Sequence, residues 1–149
     1  MNSRATAESV RPSAVDPIGV RGFTPADRTR WDDFVHRCAD ATFFHRIGWK
    51  DVIEGCFGHR THYLLAERGA RIVGVLPLAE VKSFLFGHAL VSLPFCAYGG
   101  VAADENEAVT ALHGVARRLG EELGVDHLEL RDRVVRQAEW PRQDLYVTF

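Results

Sequence analysis

Apolar residues recur at helical spacing in the first third of the chain. A helix is predicted over residues 25–38, because one face of it carries the large apolar side chains Trp31, Phe34, Val35 and Cys38. Thr24 precedes this helix as an N-cap, and Pro25 occupies its first position. A short strand is predicted before it, over 18–23, and a shorter helix after it, over 47–56.

The middle of the chain changes to short apolar runs that are typical of strands. Residues 62–67 and 71–78 are two such runs, and the turn residues 68–71 between them predict a β-hairpin. Two further strands are predicted over 79–82 and 89–93, and a proline closes the second of them. We therefore expect antiparallel pairing through this region.

The last third contains a long helix and a terminal strand. Asp104 and Glu107 form a pair of the capping-box type that predicts the start of the helix, and Gly124 predicts its end. One helix face carries the apolar side chains Ala108, Leu112, Val115, Leu119 and Leu123. A strand is predicted over 145–149, at the end of the sequence. Because an open edge strand pairs readily with further material, we expect a truncated chain or an isolated domain that is incomplete at its C-terminus.

Residues 125–131, between that helix and the last strand, alternate between apolar and polar. Leu128 and Leu130 are predicted to face one side of a sheet, and the other side to carry His127, Glu129 and Arg131. The order of elements predicts one α/β (α+β) domain over 17–149, with a mixed, largely antiparallel sheet flanked by helices. Residues 1–16 show no apolar period and are predicted to be a disordered leader.

Composition narrows the class of protein. The chain has 149 residues, of which 46% are hydrophobic and 26% charged, and 18 basic against 20 acidic side chains give a net charge of −2. These values are typical of one soluble globular domain and argue against a DNA-binding protein. Three cysteines without a CxxC pair indicate neither a disulfide framework nor a zinc site, so a reducing, cytoplasmic location is expected. The apolar runs stop well short of the ~20 residues that a membrane span needs.

Four motifs along the chain resemble one known family. They are ATFFHR over 41–46 followed by Trp49, GVLPL over 74–78, VSLPF over 91–95 with YGG over 98–100, and HLELR over 127–131. Together they resemble the FemAB-like acyltransferases over residues 18–149. Within that family, they resemble more narrowly the bacterial branch associated with exosortase/PEP-CTERM exopolysaccharide systems.

The resemblance implies a GNAT (N-acetyltransferase) fold, usually present as two tandem copies, of which this chain is the first and the second is absent. Fem-type ligases transfer an amino acid from aminoacyl-tRNA to the peptide of a cell-wall precursor. The chain is then the acceptor-binding N-terminal half of a transferase, inactive alone. The expected acceptor is a cell-envelope or exopolysaccharide precursor. Aminoacyl-tRNA or acyl-CoA is the expected donor of the intact protein, with no cofactor in this half.

Two departures from the family pattern concern phosphate binding. GNAT enzymes hold the pyrophosphate of acyl-CoA in a [QR]-x-x-G-x-[GA] turn at a helix start. Residues 71–76 begin this pattern but end in Leu76 and lie inside a predicted strand. Fem ligases usually carry a lysine one turn after the tryptophan of the aromatic motif, where this chain has Ile53 and Glu54.

The resemblance assigns substrate binding to Phe44, His45, Trp49, Tyr98, Gly99, Gly100, Glu129 and Arg131, with no catalytic residue or metal ligand assigned. His45 has two readings, a general base or a side chain that caps and packs at a helix start. The segment 98–100 is either a loop that a ligand approaches closely or a turn that requires positive φ. Glu129 and Arg131 form either a base beside a cationic anchor or a cross-strand ion pair.

Two weaker candidates have structural alternatives. His59 and His62 lie three residues apart, which is a weak metal signal without a third ligand, and solvated loop positions explain them as well. Cys96 has no visible base partner and is read as a small buried apolar group. For the whole chain, the alternative to a transferase half is a catalytically inert GNAT-like module that binds or dimerises through an open sheet edge.

Overall fold

A computed structural model describes residues 16–85, 87–134, 136 and 138–142. The strands are β1 (Ile18–Gly22), β2 (Arg60–Thr61), β3 (Leu64–Arg68), β4 (Arg71–Leu76), β5 (Leu78–Ser83), β6 (Gly87–Ser92), β7 (Ala102–Ala103) and β8 (His127–Glu129). The helices are α1 (Arg28–Arg37), α2 (Gly48–Gly55) and α3 (Asn106–Leu123), and 3₁₀ turns form at Pro25–Asp27 and Phe43–His45.

The strands form two four-stranded sheets, with the orders β1-β3-β4-β7 and β2-β5-β6-β8. The β6–β8 pair is parallel, whereas β1–β3, β3–β4, β4–β7, β2–β5 and β5–β6 are antiparallel. The predicted mixed, largely antiparallel sheet flanked by helices is therefore confirmed. The predicted hairpin is also confirmed, since β3 pairs with β4 around a turn in which Gly69 has a φ of 59°.

The two sheets are joined where the run of β4 and β5 bends at Pro77. Proline has no N–H to donate to a ladder, so the run is interrupted there. Its carbonyl accepts the Leu93 N–H at 3.3 Å, and the Leu78 carbonyl accepts the His62 N–H at 2.8 Å. Before the bend, β4 pairs with β7. After the bend, β5 pairs with β6.

Alternating side chains of the strands build one core cluster on each sheet face. The cluster shared with α1 and α2 includes Trp31, Phe34, Ile53, Tyr63, Leu65 and Leu93. The cluster shared with α3 includes Leu64, Val73, Leu76, Leu90, Leu112 and Ala116. Leu128 and Leu130 pack against this second cluster, as the alternation predicts.

The capping box predicted at Asp104 and Glu107 is wrong. The N-cap of α3 is Glu105, and its side chain makes no capping hydrogen bond. Asp104 instead pairs with two arginines, and Glu107 pairs with Arg68. Long-range ion pairs, which the sequence does not display, replace the local cap.

Other boundaries differ from the predictions by a few residues. The first helix begins with the 3₁₀ turn Pro25–Asp27 before α1, α3 ends at Gly124 with a φ of 64°, and the short β7 was not predicted. The disordered leader, apart from Asp16, and the strand over 145–149 lie outside the described residues. None of the helices in the described ranges is both long and apolar enough to cross a membrane.

Candidate functional site

His45 is a clamp between the aromatic loop and the glycine loop. The Thr42 backbone N–H donates to His45 Nδ1 at 3.0 Å, so the network assigns the ring proton to Nε2. Nε2 then donates to the Gly100 carbonyl at 2.9 Å, and the Trp31 indole N–H donates to the His45 carbonyl at 2.7 Å. With both ring nitrogens engaged, His45 has the capping role rather than that of a general base.

The His45 ring is neutral as well as fully engaged. It is 2% exposed, and this burial lowers the pKa of the imidazole against the opposing hydrogen bonds of Gly100 and Thr42. A neutral ring matches the assigned tautomer, because a doubly protonated ring would have no acceptor for the Thr42 N–H. His45 therefore positions the two loops that surround it.

Gly99 and Gly100 are required by close packing within the chain. Their N–H groups donate to the Arg131 carbonyl at 3.1 and 3.2 Å. A Cβ on Gly99 would lie 2.4 Å from Leu93 Cβ, and one on Gly100 would lie 1.8 Å from Asp132 Oδ1. Neither glycine has a positive φ, so the interpretation as a turn that needs one is wrong. The groups that approach the backbone of these two glycines closely are Leu93, at Gly99, and Asp132, at Gly100.

Arg131 ties the end of the β8 segment to the loop that follows β6. Its Nε lies 2.7 Å from Glu129 Oε1, so this ion pair runs along one segment and the cross-strand interpretation is wrong. Its Nη1 donates to the Cys96 carbonyl at 2.7 Å, and its backbone N–H donates to Ser92 Oγ at 2.8 Å. Arg131 thus contacts the glycine loop, Glu129 and the 93–96 turn together.

These contacts lie where the two parallel strands part. Residues 89–91 of β6 pair with 127–129 of β8, and regular pairing ends there. The carboxyl ends of parallel strands at a change of topology are where open α/β sheets bind ligands. Here the Ser92 hydroxyl and the N–H groups of Gly99 and Gly100 bond to Arg131 across the gap. The candidate site is therefore centred on this junction.

The aromatic loop adds an exposed ring cluster beside His45. Phe43 is 65% exposed and meets Phe44 and Trp49 edge to face, with ring centroids 6.0 and 6.3 Å apart. Phe44 and Trp49 are partly buried against the first core cluster. Tyr98, at the start of the glycine loop, is half-buried.

The structure connects five of the eight proposed binding residues by hydrogen bonds. They are His45, Gly99, Gly100, Glu129 and Arg131. A cleft of about 160 Å³ opens beside His45 and Gly100, with the Asp40–Arg136 ion pair on its lining. Phe44, Trp49 and Tyr98 lie on the two loops that His45 joins.

Sequence reasoning missed Asp132 and the backbone of the 93–96 turn. Asp132 Oδ1 accepts the Val101 N–H at 2.8 Å, and its Oδ2 lies 3.6 Å from His113 Nε2. Asp132 directly follows Arg131 in the sequence. The polar run after Leu130 was therefore the sequence feature that could have indicated Asp132 as a site residue. The left-handed φ values of Leu93 and Phe95 have no sequence signal, because neither residue favours that conformation.

The two histidines of the weak metal signal point to different partners. His59 stacks on Phe95 with ring centroids 5.7 Å apart, and His62 Nε2 lies 3.3 Å from Glu80 Oε2. Lys82, followed by His62 and His88, lowers the pKa of the buried Glu80 to about 2 despite its burial. Within the described ranges, no group of three or more His, Cys, Asp or Glu residues is placed to hold a metal ion.

Cys96 has the environment expected of a buried apolar group. It is 4% exposed and belongs to the first core cluster. Burial raises the pKa of its thiol, which disfavours the nucleophilic thiolate.

The overall fold matches known structures, although neither a protein-family model nor a curated protein sequence matches this chain. A GNAT family acetyltransferase of Staphylococcus aureus subsp. aureus USA300_TCH1516 has 12% identity over 89% of this chain and 98% of its own, with a TM-score of 0.59. FemX has 16% identity over 70% of this chain and 24% of its own, with a TM-score of 0.53. A transcriptional regulator from Bacillus halodurans C-125 has 14% identity over 88% of this chain and all (100%) of its own, with a TM-score of 0.55.

At these identities the likeness concerns the fold alone. The chain has a GNAT fold, and it spans about a quarter of the FemX chain that it matches. The α+β architecture implied by the resemblance to Fem-like acyltransferases is thereby confirmed. The particular branch, the acceptor and the donor belong to the proposal below.

The start of α3 does not fit the pyrophosphate of an acyl-CoA. A helix N-terminus attracts phosphate through free N–H groups and its dipole. Here the first residues carry the carboxylates Asp104, Glu105 and Glu107. Arg68 lies 2.8 Å from Glu105 and also pairs with Glu107, so its positive charge is already shared by two carboxylates. Arg37 and Arg71 pair with Asp104 in the same way, so the three carboxylates already engage the three arginines and this group presents no net positive charge to a diphosphate.

Proposed function

We propose that this chain is the acceptor-binding, GNAT-like half of a Fem-like acyl- or aminoacyltransferase. The acceptor in this proposal is a cell-envelope or exopolysaccharide precursor, in the manner of the exosortase/PEP-CTERM branch that the motifs resemble. A second GNAT-like domain of the intact protein is proposed to take part in binding the donor, which is aminoacyl-tRNA or acyl-CoA. The proposed setting is the cytoplasm.

The observation that carries this proposal is the bond from His45 to the Gly100 carbonyl. His45 of the ATFFHR motif and Gly100 of the YGG motif are 55 residues apart along the chain, and this 2.9 Å bond makes the two motifs neighbours. Arg131 bonds the same glycine loop to the HLELR motif. Three of the motifs that resemble the Fem-like family therefore meet at one junction, which is what a shared binding site requires.

The charges around α3 support an acceptor role rather than a donor role. Its acidic start disfavours the diphosphate of acyl-CoA, as described above. The 93–100 loop makes its own hydrogen bonds across the gap between β6 and β8. The surface left for a substrate is formed by the exposed aromatic loop, the Tyr98 loop and the cleft beside His45.

The transfer itself makes an amide from an amine and an activated ester. The acceptor amine attacks the acyl carbonyl, the new C–N bond forms, and the bond to the tRNA hydroxyl or CoA thiol breaks. The proton of the amine passes to a base, and the leaving oxygen or sulfur takes up a proton. In the proposal this chain holds and orients the acceptor, which lowers the entropic part of the barrier. No residue of this chain is assigned as the base.

Binding measurements on this chain test the proposal. A soluble wall precursor, a nucleotide diphosphate sugar that carries a short peptide, is titrated into the protein by calorimetry, and acetyl-CoA is titrated separately. We expect saturable binding of the precursor and none of acetyl-CoA. Binding of acetyl-CoA in preference to the precursor would reverse the assigned role.

Two variants connect that binding to the site. Trp49→Leu and Tyr98→Phe are each expected to weaken precursor binding about tenfold, the effect of one lost favourable contact. Phe84→Ala is the matched control, because Phe84 is fully exposed on the β5–β6 turn at the other end of β6. Unchanged affinity in both site variants, with an intact fold by circular dichroism, would remove Trp49 and Tyr98 from the site.

The alternative function is a catalytically inert GNAT-like binding or dimerisation module. The acidic start of α3 favours it as well, since it disfavours a donor site there. Light scattering over a concentration series separates the two. A stable dimer that binds neither probe supports the module, whereas a monomer that binds the precursor supports the transferase half.

A further inference from the structure

An exposed aromatic stack lies beside the candidate site and is not used by the contacts described so far. Phe95 and Phe57 are 58% and 47% exposed, and their rings stack with centroids 4.3 Å apart and planes at 20°. The His59 ring also stacks on Phe95, at 5.7 Å and 19°. We call Phe57, His59 and Phe95 the aromatic platform. The stacked rings form one contiguous apolar surface, in contrast to a singly exposed ring such as Phe84, and contiguous surfaces of this kind mark interaction sites.

The backbone presents Phe95 in an unfavourable conformation. Phe95 has a φ of 71° and Leu93 a φ of 45°, in the left-handed region that bulky side chains avoid. Such conformations persist only when surrounding contacts hold them, and they cluster at functional sites. Leu93 is buried, so its conformation serves packing, whereas the Phe95 ring points to solvent and forms no part of either core cluster.

Arg131 supplies the contacts that hold this turn. Its guanidinium donates to the Cys96 carbonyl at 2.7 Å and lies 3.5 Å from the Leu93 carbonyl, so it bonds on both sides of Phe95. The same guanidinium pairs with Glu129 at 2.7 Å. The turn that carries the platform is therefore fastened directly to the candidate site.

The polar pair linked to the turn of the platform favours an uncharged ligand. The Glu129 side chain is 44% exposed and pairs with Arg131 through Oε1, which leaves Oε2 to accept further hydrogen bonds. The Glu129–Arg131 pair has no net charge and hence little attraction for a phosphate. The Arg131 guanidinium bonds both Glu129 and the carbonyl of Cys96, the residue after Phe95, so it links this carboxylate to the turn that carries the ring. An apolar ring surface linked in this way to a carboxylate fits a sugar, whose C–H face stacks on an aromatic ring while its hydroxyls donate.

We propose that Phe95 and Phe57, with Glu129 linked to their turn through Arg131, form a stacking subsite for an uncharged sugar ring. This inference rests on the proposed function and deepens it, since it names the sugar as the part of the acceptor that this chain recognises. Phe95 is the main stacking residue, Phe57 and His59 support its ring, and Glu129 accepts a sugar hydroxyl. Arg131 is a positioning residue that holds the turn.

Saturation-transfer NMR on the whole chain tests the subsite, with the disaccharide of β-1,4-linked N-acetylglucosamine as the probe and uridine monophosphate as a second probe. We expect saturation transfer to the sugar ring protons and weaker or no transfer to the nucleotide. Phe95→Gly is expected to weaken sugar binding about tenfold, and Phe57→Leu severalfold. Phe84→Ala, another exposed phenylalanine, is expected to leave it unchanged.

The stability of the glycine variant separates a binding role from a structural one. Glycine adopts a φ of 71° without steric cost, so Phe95→Gly is expected to keep or raise the thermal midpoint while it loses the sugar. A lower midpoint with unchanged sugar binding would overturn the subsite. A preference for uridine monophosphate at the platform would overturn the sugar assignment.

The two proposals fail separately. If the disaccharide binds and depends on Phe95 while the whole precursor does not bind, the acceptor role falls and the sugar subsite stands. If the precursor binds but Phe95→Gly and Phe57→Leu leave its affinity unchanged, the subsite falls and the acceptor role stands.

Discussion

The imidazole of His45 donates to the carbonyl oxygen of Gly100 at 2.9 Å, from a ring that is 2% exposed. Its other nitrogen accepts the Thr42 N–H at 3.0 Å. One side chain thus satisfies the buried Gly100 carbonyl and the partly buried Thr42 N–H, from segments that are far apart in sequence. Because an unsatisfied buried group is costly, this relationship fixes how the two loops sit against each other.

Replacement of His45 is expected to destabilise the protein strongly. His45→Ala leaves the Gly100 carbonyl and the Thr42 N–H without their partner and opens a cavity, so the free energy of unfolding should fall by about 2–4 kcal/mol. His36→Ala, at an exposed histidine of α1, is the control and should change it by less than about 0.5 kcal/mol. Equal urea midpoints for the two variants would mean that the clamp contributes little.

The same histidine predicts how stability depends on pH. Burial lowers the pKa of His45 below its ordinary value of 6.5, so below that pH the unfolded chain binds a proton that the folded chain resists. Stability should therefore fall as the pH drops from about 7.5 to 5.5, and His45→Gln should reduce this slope. Glu80 acts at lower pH, because its pKa is lowered from 4.5 to about 2, so its stabilisation is lost progressively as the pH falls through that range. Urea unfolding at both pH values, with His36→Gln as control, measures the difference.

The glycine loop and helix α3 should respond in opposite directions to alanine. Gly99→Ala and Gly100→Ala force contacts of 2.4 and 1.8 Å and should each cost about 2 kcal/mol or more. Gly114→Ala, in α3, adds a Cβ whose nearest neighbour is Arg118 Nη1 at 3.8 Å, so it should stabilise by about 0.5–1 kcal/mol. Thermal unfolding compares the three. Tolerance of alanine at Gly100 would show that Asp132 moves aside easily.

Cysteine alkylation should report whether Arg131 holds the 93–96 turn. Cys38 and Cys96 are both buried, and burial raises the pKa of each thiol, so both should react slowly. Arg131→Met removes the bond to the Cys96 carbonyl and should speed the alkylation of Cys96 about tenfold, while Cys38 keeps its rate. Peptide mass spectrometry in a Cys56→Ser background, without the exposed third thiol, resolves the two sites. Equal acceleration at Cys38 would indicate general loosening instead.

Local rules account for most of the secondary structure. The spacing around Trp31 and Phe34 predicted the first helix, the turn at Gly69 predicted the hairpin, and Gly124 predicted the end of α3, since each depends on neighbours along the chain. The predicted cap at Asp104 failed, because arginines from α1 and β4 compete for that carboxylate. The bend at Pro77 was also missed, since a proline within an apolar run does not show which strands lie beside it.

For the candidate site, the motifs predicted which residues to consider, whereas the contacts of those residues could not be predicted. The motifs pointed to His45, Gly99, Gly100, Glu129 and Arg131. The roles of the histidine, of the glycines and of the ion pair became clear only from the groups that they contact. The tautomer of a histidine, the atom that crowds a glycine and the direction of an ion pair depend on contacts between distant segments. Phe95 shows this most plainly, because nothing in its sequence context indicates a left-handed backbone.

By itself, the sequence of this protein determined an α+β fold class with an amphipathic long helix, apolar strands and four motifs, because period and turn chemistry act over a few residues. Only the tertiary structure decided that three of these motifs meet where β6 and β8 part, and that Arg131 links Glu129 to the turn that carries Phe95. The physical reason is that buried hydrogen bonds and ion pairs must be satisfied by whatever group the fold brings within about 3 Å, irrespective of its distance along the chain.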